Sequence, residues 1–73
     1  MTAGIISREI ISEPDAETRR DIELAQAYLE TRSFRDATAL VWASKSAVWR
    51  SVKRVAELLR AGKLRIVAVQ DAD

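Results

Sequence analysis

Val48, Val52, Val55 and Leu59 recur at intervals of four, three and four, and this spacing constrains the fold more than any other feature of the chain. Side chains three and four apart share one face of an α-helix, so residues 44–60 read as a rod with one apolar side. That side has to be hidden against other helices. The opposite side carries Lys45, Ser46, Trp49, Arg50 and Lys53. A helix that only completed a core would not need this second set, so the rod serves two surfaces.

The rest of the chain supplies what the rod packs against. Four isoleucines in two pairs within residues 4–11 favour a strand. Ser12 or Glu13 is expected to cap a helix over residues 14–31, with Pro14 in its first turn, where a missing N–H costs nothing. Ile22, Ala25 and Leu29 form its apolar stripe, widened by Leu24 and Tyr28, while Glu17, Arg20, Glu23 and Glu30 look like solvated surface. Ser33 with Asp36 three positions on matches a capping box for a short helix over residues 34–41. Phe34, Ala37, Leu40 and Val41 would be its buried face, and Trp42 is read as core.

Ser44 can cap the long rod over residues 44–61, and Gly62 supplies a left-handed C-terminal cap. From residue 64 to 70 the period changes to two: Leu64, Ile66 and Ala68 alternate with Arg65, Val67 and Val69. A lone strand cannot satisfy its own backbone, so this one must pair with the isoleucine-rich segment, within one chain or from a second copy. The expected fold is mainly α, a single three-helix domain over residues 1–73 with short terminal strands. At 73 residues a lone core leaves a thin stability margin that dimerisation would widen.

The composition excludes much chemistry. With no cysteine and no histidine, disulfides, thiolate nucleophiles, zinc sites with sulfur or imidazole ligands, and histidine acid-base catalysis are ruled out. No Gly-rich phosphate loop or metal-type carboxylate cluster is present, so no enzyme activity, catalytic residue, cofactor or metal is expected. The longest uncharged run falls far short of the roughly 20 residues of a membrane span, and no export signal is seen, which points to the cytoplasm.

The formal net charge is only +1, but it is unevenly distributed. Residues 1–32 hold four basic and seven acidic side chains, residues 33–65 hold eight and two, and the tail adds Asp71 and Asp73. A basic middle on a near-neutral chain suits an anionic partner.

The short segment, tight connection and longer rod have the lengths of a helix-turn-helix. The stretch SFRDATALVWASKSAVWRSVKRV resembles the helix-turn-helix of small bacterial, phage and plasmid repressors, and Ser44-Lys45-Ser46-Ala47-Val48 is similar to the start of their recognition helices. The run through Ala47-Val48, Val52, Arg54 and Val55 also resembles the KorA-type plasmid repressors. Where the family usually has glycine in the turn, this chain has Trp42, and Thr38 stands where a small alanine is common. The resemblance covers little more than a third of the chain and assigns neither strand.

It implies a repressor that reads double-stranded DNA. Since one reading helix covers only a few base pairs, a homodimer on a palindromic operator is expected, with the terminal strands as the device joining the two copies. The rod's own residues suit that role. Arg50 is the candidate for base readout, with guanine as the matching acceptor. Ser44, Lys45 and Ser46 sit at the helix start, where backbone N–H groups favour phosphates. Trp49, Lys53 and Arg54 extend the same surface, and Arg35 at the start of the second helix is placed for the DNA backbone. A second reading makes the basic face and Trp49 a docking surface for RNA polymerase, a sigma factor or another protein, since tryptophan and arginine dominate protein hot spots. A third combines DNA and a protein partner, as an antitoxin or partition adaptor does.

Overall fold

Five elements follow one another in the computed structural model: β1 (Gly4–Ser7), α1 (Ala16–Thr31), α2 (Phe34–Val41), α3 (Lys45–Arg60) and β2 (Arg65–Ala68). The structure describes residues 4–8, 10–11 and 14–68. The architecture is mainly helical, three helices with one two-stranded antiparallel sheet.

Each helix begins where a side-chain oxygen can satisfy an otherwise orphaned backbone N–H. For α1 that residue is Asp15, whose Oδ1 accepts from Thr18 N–H at 2.7 Å. The expected start at residue 14 is therefore two residues early. Pro14 lies ahead of the cap, and the expected caps Ser12 and Glu13 lie outside the described residues. Ser44 caps α3 by accepting from Ala47 N–H at 3.1 Å, as anticipated. Ser33 caps α2 by accepting from Asp36 N–H at 3.4 Å, but the capping box is only half formed, because Ser33 N–H donates to Thr31 Oγ1 at 3.4 Å instead of to Asp36. The rod ends in a Schellman motif, in which Gly62 at φ +75° lets its own N–H reach the Leu59 carbonyl at 3.1 Å and Lys63 N–H reach that of Leu58 at 2.9 Å.

α1 lies between two apolar clusters. Ile22 and Ala25 pack with Ile6, Val55 and Leu64, while Leu24 and Ala27 pack with Ala37 and Val48. Val52 touches both clusters, so α3 spans them with its valine side. Val48 is fully enclosed at 0% exposure, and burying a side chain of that size contributes about 2 kcal/mol. Tyr28 and Phe34 stack at 4.4 Å between centroids, closing the corner between α1 and α2.

Two of the expected core residues are not core. Leu40 is 55% exposed and Trp42 93%. With Ala37 and Val41 already turned inward, the eight-residue α2 has no room to bury Leu40 as well. Trp42 is the C-cap of α2 at φ 55° and ψ 43°, the left-handed conformation usual for glycine, and this backbone turn swings its indole into solvent.

The strands pair within the chain, with Gly4 opposite Ala68, Ile5 opposite Val67, Ile6 opposite Ile66 and Ser7 opposite Arg65. β1 stops at Ser7 rather than running to residue 11, because the chain turns: Ile11 N–H donates to the Arg8 carbonyl at 3.1 Å, and Ile11 packs against the core while Ile10 stays exposed. β2 begins at Arg65, one residue later than expected; Leu64 precedes it and is buried, and the expected positions 69 and 70 lie outside the described residues. The Gln26 side-chain amide brackets the far edge of β1, accepting from Ile6 N–H at 2.8 Å and donating to the Gly4 carbonyl at 3.0 Å.

Candidate nucleic-acid interface

Because the valine side of α3 is packed, its first half is free to present the opposite side. Lys45, Ser46, Trp49, Arg50 and Lys53 are all exposed on it. Lys45, Ser46, Trp49 and Arg50 line an open groove of about 340 Å³ together with Phe34 from the first turn of α2. Phe34 is thus a structural member of the surface that the sequence pattern assigned only to the core. The groove has an apolar interior from the two rings and a cationic rim from Lys45 and Arg50.

Lys53 completes the cluster. Its ammonium stands 4.8 Å from the centre of the Trp49 ring, within cation–π range. Trp49 remains 49% exposed, so it covers part of the helix surface without being absorbed into the core. Arg50 also borders a second, polar groove of about 320 Å³ that includes Glu17, Arg20 and Ser51. Arg50 therefore borders both an apolar hollow and a charged one.

Arg54 is placed differently from the rest of its expected group. It sits on the flank of α3 that faces α1, where its Nη1 lies 2.8 Å from Glu17 Oε1 and 3.4 Å from Asp21 Oδ2. The Asp21 hydrogen bond, followed by the charges of Asp21 and Glu17, raises its pKa further above the ordinary arginine value. Arg54 is thus tied to α1 through Nη1, while its side chain stays 52% exposed. Glu17, expected to be plain solvated surface, is one arm of that clasp.

Asp21 and Ser51, at 8% and 3% exposure, are the buried polar pair that the sequence pattern did not reveal. Ser51 Oγ donates to Asp21 Oδ1 at 2.8 Å. A serine and an aspartate at helical spacing look like surface residues, and no periodicity marks which will be covered.

Ser44 is exposed and spends its hydroxyl on the α3 cap. Arg35 is exposed in the first turn of α2, next in sequence to the groove-lining Phe34. Further along α3, Glu57 is exposed one turn beyond Lys53 and is the one acidic side chain of this helix. Among the described residues no cluster of acidic side chains is arranged to hold a metal ion, and no helix is long and apolar enough to cross a membrane. The chain matches no protein-family model, no curated protein and no solved structure.

Proposed function

We propose that the protein is a sequence-specific double-stranded DNA-binding transcriptional regulator, a dimeric repressor whose α2, three-residue turn and α3 act as a helix-turn-helix. One observation carries the reading: the first half of α3 is packed along Val48 and Val52 while Lys45, Ser46, Trp49, Arg50 and Lys53 project together from the other side. The major groove of B-DNA admits a helix and offers paired acceptors on guanine to an arginine. In this reading Arg50, exposed between the two grooves, reads a base. Lys45, Lys53 and Arg35 meet phosphates, and the capped start of α3 adds backbone N–H groups. The apolar hollow between Phe34 and Trp49 suits a thymine methyl or a sugar. Arg54 ties α3 to α1 through Nη1 and, half exposed, keeps the rest of its guanidinium for the DNA backbone at the edge of this surface.

One helix covers only a few base pairs, so specificity calls for two copies presenting two helices about 34 Å apart on a palindromic site. Selection from random duplexes, followed by titration at two salt concentrations, tests the proposal. An enriched palindrome whose affinity falls steeply with salt is expected. Failure to enrich any sequence would sink it.

A second reading is favoured by the turn itself. Trp42 at 93% and Leu40 at 55% exposure leave apolar surface at the end of α2 and in the turn leading to α3, as a protein-docking module would. Saturable binding to purified RNA polymerase or a sigma factor, lost in Trp42→Ala and unaffected by nuclease, would support this reading over the first.

A further inference from the structure

The two edges of the small sheet are not equivalent. On β1 the outward backbone groups, Ile6 N–H and the Gly4 carbonyl, are both taken by the Gln26 amide at 2.8 and 3.0 Å. That edge is closed by a side chain from α1 acting as a surrogate strand. Since Gly4 and Ile6 point their backbone groups outward, Ile5 and Ser7 face β2, where they pair with Val67 and Arg65. The alternation then directs the N–H and carbonyl of Ile66 away from β1, along the outer edge of β2.

No described residue forms a backbone bond with that edge. Monomeric proteins guard such edges with an outward charge, a proline or a bulge. β2 has none of these at its centre: the pairing is regular, and the central residues are Ile66 and Val67, each 47% exposed, with Ile5 at 49% across from Val67. A two-stranded sheet of this length is marginal by itself.

We propose that β2 is a self-association strand, pairing antiparallel with β2 of a second copy to give one four-stranded sheet across a two-fold axis. A second copy fits better than an unrelated peptide because the result is closed. The order becomes β1-β2-β2-β1, and Gln26 of each copy seals the two outer edges, so the assembly stops at two. The backbone alternation restricts the axis to Ile66 or Val67 near the strand centre. In neither register does Arg65 face its own copy, so the cations do not oppose pairing. The inference rests on the dimeric part of the DNA-binding reading, and supplies the joint between its two reading helices, but it does not depend on any DNA contact.

The test uses the whole chain without DNA. Sedimentation equilibrium from low micromolar to submillimolar concentration should show a monomer–dimer equilibrium. Val67→Lys sets a lysine opposite Arg65 when the axis lies at Ile66, and opposite another lysine when it lies at Val67. It should weaken the dimer roughly a hundredfold in either case, with the helical circular dichroism unchanged. In the unaltered chain the Ile66 amide should exchange with solvent at least about tenfold more slowly when concentrated than when dilute. A chain that stays monomeric, a dimer indifferent to Val67→Lys, or a dimer whose Ile66 amide exchanges as freely as in the monomer would each overturn the proposal. A monomer that still binds a selected duplex would overturn this joint and leave the DNA reading standing. A β2-joined dimer that binds no duplex would do the reverse.

Discussion

Ser51 and Asp21, thirty positions apart, meet through a 2.8 Å hydrogen bond that is buried between α3 and α1. The other oxygen of the same carboxylate lies 3.4 Å from Arg54, which also holds Glu17 at 2.8 Å. Valine packing alone would tolerate some rotation of α3 about its axis, because apolar contacts are not directional. This clasp is directional, so it sets which residues of α3 face outward.

Removing either half of the buried bond should destabilise the chain unequally. Asp21→Ala leaves the Ser51 hydroxyl without its acceptor and deprives Arg54 of one partner, at a cost of about 2–3 kcal/mol. Ser51→Ala should cost about 1 kcal/mol, because Asp21 keeps Arg54. Urea unfolding of the two single variants and the double variant checks this, and the double should fall short of the sum.

Trp42→Gly should stabilise the chain by about 1 kcal/mol. The left-handed backbone at φ 55° strains any residue with a Cβ, and glycine removes that strain while giving back part of the gain through a freer unfolded chain. At 93% exposure the indole contributes almost no packing to lose. Trp42→Ala should show no comparable gain, since alanine keeps the Cβ. Thermal melts of both variants separate strain from lost contacts.

The junction of α2 and α3 should be intolerant in both directions. Val48 and Ala37 are each at 0% exposure in one cluster. Val48→Ala should cost about 2 kcal/mol by leaving a void, and Ala37→Leu about 1–3 kcal/mol by forcing the helices apart. Denaturant midpoints provide the measurement.

Acid should weaken the start of α1. The backbone hydrogen bond from Thr18 lowers the Asp15 pKa below its ordinary value of 3.8. The unfolded chain therefore binds this proton more readily. The cap's contribution is fully present above the unfolded value and is lost as pH falls through the depressed folded one. Asp15→Asn caps without titrating, so its melting temperature should change less than that of the unaltered chain on acidification below about pH 4.

Arg50→Ala should abolish discrimination between a selected duplex and a scrambled one. Lys53→Ala should weaken both about equally and lower the salt slope by about one. Fluorescence anisotropy at several salt concentrations reads both effects.

The helices were legible in the sequence because their signals are local. Ser33, Ser44 and Gly62 mark ends through their own hydroxyls or backbone, and the valine spacing marks a face without reference to any partner. Three features resisted. Asp21 and Ser51 look solvated until α1 and α3 are set side by side. Trp42 looks like core because its size outweighs, in any composition rule, the fact that the turn needs a left-handed residue. Gln26 gives no sign of bracing a strand some twenty residues away, since its role depends on β1 lying across α1. The groove followed the same division: Lys45, Trp49, Arg50 and Lys53 shared a helical face on paper, whereas Phe34 joined them only through the packing of α2.

The placement of the two tryptophans also determines how the chain can be observed. Trp42 and Trp49 are the only indoles in the chain, and both stand in contact with water while folded. Native emission should already be that of a hydrated chromophore, so denaturation will barely move its wavelength, and Tyr28 or far-ultraviolet dichroism will follow unfolding better. For the same reason, a blue shift on adding another molecule would report the covering of that surface rather than a rearrangement of the interior.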